Sequence, residues 1–136
     1  MSATDRPEAR TLRRGLEGHA KAVVTEDMLA PAVGSGTVAV YATPCLAALM
    51  EQAAVACVEG HLAAGEAGLG TRTDTTPPAP AVPGQAVSAR ATLTEIDGRK
   101  LTIAIEAWTP AGSIGTATHT RVVIDVARFL GRLAAR

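Results

Sequence analysis

Aromatic residues are nearly missing from this chain: of its 136 residues, only Tyr41, Trp108 and Phe129 carry a carbon-rich ring. Excess charge is missing too, since 13 Lys and Arg balance 13 Asp and Glu. A nucleic-acid binder needs a basic footprint and often stacking rings, so this composition argues against that class. No apolar run reaches the roughly 18 residues that suggest a membrane span. The opening MSATDRPEARTLRRG has no apolar core of the kind a signal peptide needs. Cysteine is scarce. Cys45 and Cys57 fall in one apolar segment, and twelve helical residues put them roughly 18 Å apart, too far to bridge. Two free thiols suit a reducing compartment, so the expected location is the cytoplasm. Neither Glu66 nor Asp74 stands at metal-ligand spacing from a histidine, so no metal site is expected.

What the chain does have is apolar aliphatic mass, with 47% apolar residues on a length that suits one domain with one core. From Pro44 to Val58 it reads PCLAALMEQAAVACV, where Glu51 is the one charged residue. Thr43-Pro44 is a helix start, because Thr is a good N-cap and Pro suits the first turn. These features predict a buried helix of about four turns with one acid in its middle. Burying an unpaired carboxylate costs several kcal/mol or raises its pKa until it is neutral. Such a residue has a partner or a task, unless Glu51 marks one exposed edge of the helix.

Residues 1–18, with Arg6, Arg10, Arg13 and Arg14 among Asp5, Glu8 and Glu17, read as a flexible arm before a domain over 19–136. Ala20–Thr25 suggests a first strand and Thr37–Tyr41 an extended lead into the helix. The helix ends near Glu59–Leu62, and Ala64–Gly68 reads as a loop. Leu69–Thr76 suggests a strand, which Pro77, Pro78, Pro80 and Pro83 terminate. Val87, Ala89, Ala91 and Leu93 then alternate with polar residues, as do Leu101, Ile103, Ile105 and Ala107 on the next strand. Asp97-Gly98 marks the hairpin between them. After the turn at Pro110–Ser113 comes a long last strand, Ile114–Val126, and then a short helix in VARFLGRLAAR. A strand, an apolar helix and an antiparallel meander make an α+β protein whose curved sheet wraps one long helix: the hotdog fold.

Three segments, VYATPCLAALMEQAAVACVEGHL, GLGTRTDTTPPAPAVPG and GTATHTRVVID, resemble the fluoroacetyl-CoA thioesterase-like hotdog proteins, with similarity from about Val24 to Leu133. The resemblance implies a homodimer that holds an acyl-CoA at the subunit interface, with the coenzyme A thioester as substrate or ligand and no separate cofactor. It assigns catalytic roles to Thr43 and Glu51, and substrate contact to Gly70 and Arg121. The family's catalytic histidine is expected seven residues after Gly70, where this chain has Pro77.

Thioester hydrolysis needs a nucleophile or activated water, and a stabilised oxyanion. Glu51 can serve as the base, Thr43 can orient it, and the helix N-terminus can face the oxyanion. A missing imidazole is worth about 10² to 10⁴ in rate. Thr43 can instead be a plain cap. His119 and Arg121 share one face of the last strand, and His119 is either structural or catalytic. His61 fits the helix end as a cation beside the dipole, and Cys45 fits as a small core residue. Arg72, Arg90, Arg99, Lys100 and Arg121 are the candidates for the phosphates of coenzyme A. Three functions follow: an acyl-CoA thioesterase; a non-catalytic binder of acyl-CoA or another small molecule; and a hydratase, dehydratase or lyase with Glu51 as base.

Overall fold

The computed structural model describes residues 6, 8–76 and 79–136. The fold is built on the meander, where apolar and polar residues alternate most cleanly. Strands β3 (Ala86–Asp97), β4 (Lys100–Thr109) and β5 (Gly112–Asp125) pair antiparallel in sequence order. Val87, Ala89, Ala91 and Leu93 of β3 and Leu101, Ile103, Ile105 and Ala107 of β4 all point into the core. The turn between β3 and β4 uses Gly98 at φ +59°, where a side chain would be strained. Strand β1 (Glu17–Val23) joins outside β3, and β2 (Glu66–Thr76) outside β5. The sheet order is β1-β3-β4-β5-β2, antiparallel throughout. Register shifts near Gly70, Leu93 and Ala107 add bulges, which increase local twist and curl the sheet.

A single-turn α1 (Ala30–Val33) precedes the central helix α2 (Thr43–Val58), which lies chiefly on β1 and β3. Leu46, Leu49, Met50, Ala53, Ala54, Cys57 and Val58 of α2 are buried. Cys45 is half-buried, and both thiols are free. Helix α3 (Val126–Ala134) follows β5, capped by Asp125 accepting from the Arg128 amide at 2.9 Å.

Several expectations need correction. Glu51 is not buried: with Ala48, Gln52 and Val55 it lies on an exposed face of α2. The helix is apolar on every side, but within one chain the sheet covers only one side. Thr43 does not cap the helix. Ala42 is the N-cap, Thr43 is the first helical residue, and no side chain bonds the free amides of that turn. The segment before Tyr41 is a series of bends rather than a strand, ending in a bridge between Leu29 and Tyr41 and in the bond from the Tyr41 amide to Ala81 O at 2.8 Å. Strand β2 starts at Glu66, earlier than expected, and β1 starts at Glu17.

Glu17 and Gly18, counted with the arm from sequence, are therefore strand residues. Gly18 is the tightest point of the core. A methyl group there would lie 2.2 Å from the Cys57 amide nitrogen and 2.3 Å from the Ala53 carbonyl oxygen, an i,i+4 pair of the α2 ladder. Only glycine lets β1 come this close to the helix. Ahead of it, the Thr11 amide donates to His61 O at 2.8 Å, Thr11 Oγ1 meets His61 Nδ1 at 2.9 Å, and Arg10 pairs with Glu66 at 2.7 Å.

Candidate functional site

Along the inward row of β5 the chemistry changes midway. Ala117 and Val123 are apolar, but between them stand His119, 1% exposed, and Arg121, 6% exposed. Buried polar groups need partners, and these two partly partner each other. Arg121 Nη1 lies 3.2 Å from His119 Nε2, and Arg121 Nη2 donates to Gly68 O at 2.7 Å. The other ring nitrogen, His119 Nδ1, lies 2.7 Å from Thr73 Oγ1 and 3.0 Å from Arg72 O. A guanidinium has only donors, so His119 Nε2 must accept and carries no proton. The imidazole is then neutral with its hydrogen on Nδ1, facing Arg72 O. Burial and the Arg121 charge push its pKa below the ordinary value, partly offset by Glu51 and the Arg72 carbonyl.

Glu51 reaches this pair from α2, and Gly70 on β2 leaves the space between them. A methyl group at Gly70 would sit 3.1 Å from Glu51 Oε2, 3.2 Å from His119 Cε1 and 3.3 Å from Arg121 Nη1. Four residues from three elements thus border one small space. Beside it, Glu59 accepts from the Gly68 amide at 3.1 Å and orders this stretch of β2. Among the described residues no carboxylate lies within ion-pair distance of Arg121, and its buried Nε has no hydrogen-bond partner. Glu51 also borders a cavity of about 410 Å³ with Ala48, Gln52 and Val55.

Thr43 is placed elsewhere. It borders a second cavity of about 240 Å³ with Tyr41, Leu46, Pro80 and Ile114. Eight helical residues separate it from Glu51, about 12 Å along the axis. Tyr41, in the same cavity, donates to Cys45 O at 3.2 Å, and burial pushes its phenol up to about 12, so it acts as a neutral donor. The structure therefore brings Glu51, Gly70 and Arg121 together and sets Thr43 apart. Pro77 lies outside the described residues. The sequence singled out His119 without revealing its bond to Arg121. Tyr41 and Glu59 were not singled out; for Glu59 the available signal was its place four residues on from Val55, along the face that holds Glu51.

Of the phosphate candidates, Arg72 pairs with Asp74 at 3.2 Å and Arg90 with Glu106. Arg99 borders a surface hollow with Arg128 and Arg132. Among the described residues no cluster of three or more His, Cys, Asp or Glu could hold a metal ion, and no helix is long and apolar enough to cross a membrane.

The family model described as fluoroacetyl-CoA-specific thioesterase matches residues 24–127, covering both the helix that carries Glu51 and the strand that carries Arg121. The chain belongs to this thioesterase family. A fluoroacetyl-CoA thioesterase of Streptantibioticus cattleyicolor is 37% identical over 90 residues, which are 66% of this chain and 65% of that protein; the match spans slightly under two thirds of that relative. A solved fluoroacetyl-CoA thioesterase superposes with a TM-score of 0.84 at 28% identity, over 92% of this chain and 97% of that one. A thioesterase superfamily member from Thermus thermophilus gives 0.86 at 27% identity, over 93% of each chain. A hot-dog-like protein from Thermanaerovibrio acidaminovorans, at 22% identity and a TM-score of 0.84, shares the fold. The curved sheet around α2 is thus the hotdog fold of this family.

Proposed function

We propose that the protein hydrolyses a short-chain acyl-CoA thioester, with the carbonyl lodged over Gly70. The observation that carries this reading is the convergence of Glu51 Oε2 and Arg121 Nη1 on the space above a glycine. Glu51 takes a proton from water as the water oxygen attacks the thioester carbon. Arg121 Nη1 has a second hydrogen beyond the one given to His119, and that donor faces the developing oxyanion. The carbon–sulfur bond then breaks, and the thiolate of coenzyme A recovers the proton from Glu51. Membership of the thioesterase family supports this chemistry, as do relatives solved with acetyl-CoA and with fluoroacetate and CoA. Thr43 and the amide end of α2 supply polar contacts farther along the substrate, in the second cavity. No metal or prosthetic group takes part.

The site faces outward from one chain, and this supports a homodimer that closes it. Val55 on α2 is 40% exposed beside Glu51, and Leu69 on the edge strand β2, next to Gly70 in sequence, is 41% exposed. An unpaired edge strand and an uncovered apolar helix flank are surfaces that a second copy covers. A stable folded monomer of 13.8 kDa in light scattering at micromolar concentration would rule this out.

A second reading, a binder that holds acyl-CoA without hydrolysis, has its own support. Pro77 stands where the resemblance expects the catalytic histidine, and both ring nitrogens of His119 are engaged. Free-thiol release from a panel of acyl-CoAs separates the readings. Hydrolysis is expected to be slow, and Glu51→Gln should reduce it at least a hundredfold while the fold is kept. Full activity in that variant would remove Glu51 from the mechanism. Tight acyl-CoA binding without thiol release would favour the binder.

A further inference from the structure

We propose that His119 is the positioning residue of this site: as a neutral imidazole it accepts from Arg121 Nη1 and so holds the guanidinium over Gly70. The proposal rests on the reading in which Arg121 meets the substrate. Among the described residues no carboxylate lies within ion-pair distance of Arg121, although Glu51 and Glu59 border it, so its direction is set by two neutral acceptors, Gly68 O at 2.7 Å and His119 Nε2 at 3.2 Å. Because both acceptors are neutral, the guanidinium is held without an ion pair, and the second hydrogen on Nη1 is left for an oxyanion over Gly70. The imidazole in turn is locked from behind by Thr73 Oγ1 and Arg72 O on β2. With both nitrogens occupied, His119 is not placed to shuttle protons; it sets an angle.

The arrangement makes the site sensitive to acid. The groups facing the imidazole are Arg121 on its own strand, Glu51 on α2, and the Thr73 hydroxyl and Arg72 carbonyl on β2; its partner across the ladder on β4 is the uncharged Ile103. Protonation of Nε2 would put two donors and two positive charges face to face, and the guanidinium would turn away. The depressed pKa agrees with this and places the loss on the acid side of 6.5.

Two amides separate positioning from packing. The Gln side chain reaches as far as Nε2 and offers an acceptor to Arg121, whereas Asn reaches only as far as Nδ1 and leaves Arg121 without one. In the full-length protein, His119→Gln should keep kcat/KM for acetyl-CoA within about threefold and lose the acidic limb of the pH profile. His119→Asn should lose about tenfold or more at pH 7.5, with a melting temperature close to that of the Gln variant. Equal losses in the two variants, or an acidic limb unchanged in Gln, would overturn the proposal. A second arm needs no activity. In ¹⁵N spectra of the wild-type protein at pH 7.5, His119 Nε2 should resonate as a bare nitrogen and Nδ1 as a protonated one. The opposite tautomer, or an imidazolium, would also overturn it. If the wild-type protein releases no thiol but shows the Nδ1–H tautomer, the hydrolytic reading fails and the positioning of Arg121 stands.

Discussion

Two glycines, Gly18 and Gly70, sit where a side chain would press on its neighbours, and what occupies each space differs in kind. At Gly18 the neighbours are backbone atoms of α2, the Ala53 carbonyl and the Cys57 amide, which cannot move without breaking the helix ladder. At Gly70 they are side-chain ends: a carboxylate oxygen, an imidazole carbon and a guanidinium nitrogen. The first glycine closes the core, and the second keeps a space polar and vacant of protein. The same residue type thus closes the core on one edge strand and borders the proposed site on the other, because α2 leans toward β1 and leaves its Glu51 face uncovered near β2.

This contrast predicts opposite effects of the same substitution. Gly18→Ala puts a carbon within 2.3 Å of the helix backbone, so β1 must separate from α2. Overpacking of this kind costs about 1–3 kcal/mol and more where backbone must shift, so the melting temperature should fall by on the order of 10 °C or the protein should fail to fold. A variant as stable as wild type would mean that β1 does not seat on α2 as described. Gly70→Ala should lower the melting temperature by less than Gly18→Ala, because the methyl group meets side-chain ends at 3.1–3.3 Å, of which the exposed Glu51 can yield, and no backbone. It should nevertheless cut thiol release about tenfold, since the methyl group occupies the place proposed for the thioester. Unfolding of this variant, or undiminished turnover, would erase the distinction between the two glycines.

The smallest expected effect is on acid stability. A histidine whose folded pKa is depressed contributes stability above its unfolded value near 6.5, and that contribution is lost as the pH falls toward the folded value. Melting temperatures should therefore decline below pH 6.5, and less so in His119→Gln. Glu66, which the Arg10 side chain holds below 4.5, adds its own loss only at lower pH, so the two windows are separable. A flat profile between pH 7 and 5 would show that His119 is not held neutral.

The meander and the helix were legible because both obey a simple period: two on β3 and β4, and an unbroken apolar run on α2. The same apolar run hid the orientation of α2. With Ala on every side, nothing in the sequence says which side the sheet covers, so Glu51 read as buried. Gly18 was invisible for a related reason, since a glycine contributes no side chain to an alternation and its value lies in what approaches it. His119 and Arg121 could be placed on one face of β5 by counting. Their mutual bond could not, because it depends on what stands opposite them on β2, Gly70 across from Arg121 and Thr73 across from His119. Thr43 read as a cap, yet the chain turns into the helix one residue earlier, at Ala42.

The strand order carries a kinetic consequence. The β3–β4 and β4–β5 hairpins close over short stretches of chain, but β1 must find β3 across the pairing of Glu17 with Thr92, and β2 must find β5 from Glu66 to Asp125. Long closures are slow to form, so the meander is the natural nucleus and the two edge strands arrive afterwards. The segment carrying α2 lies between the edge strands in sequence, and the helix face that the sheet covers is closed only when β1 has docked. Strain introduced at Gly18 would then chiefly speed unfolding and leave the refolding rate almost unchanged. The two glycines would be ordered late, after the sheet that they complete already exists.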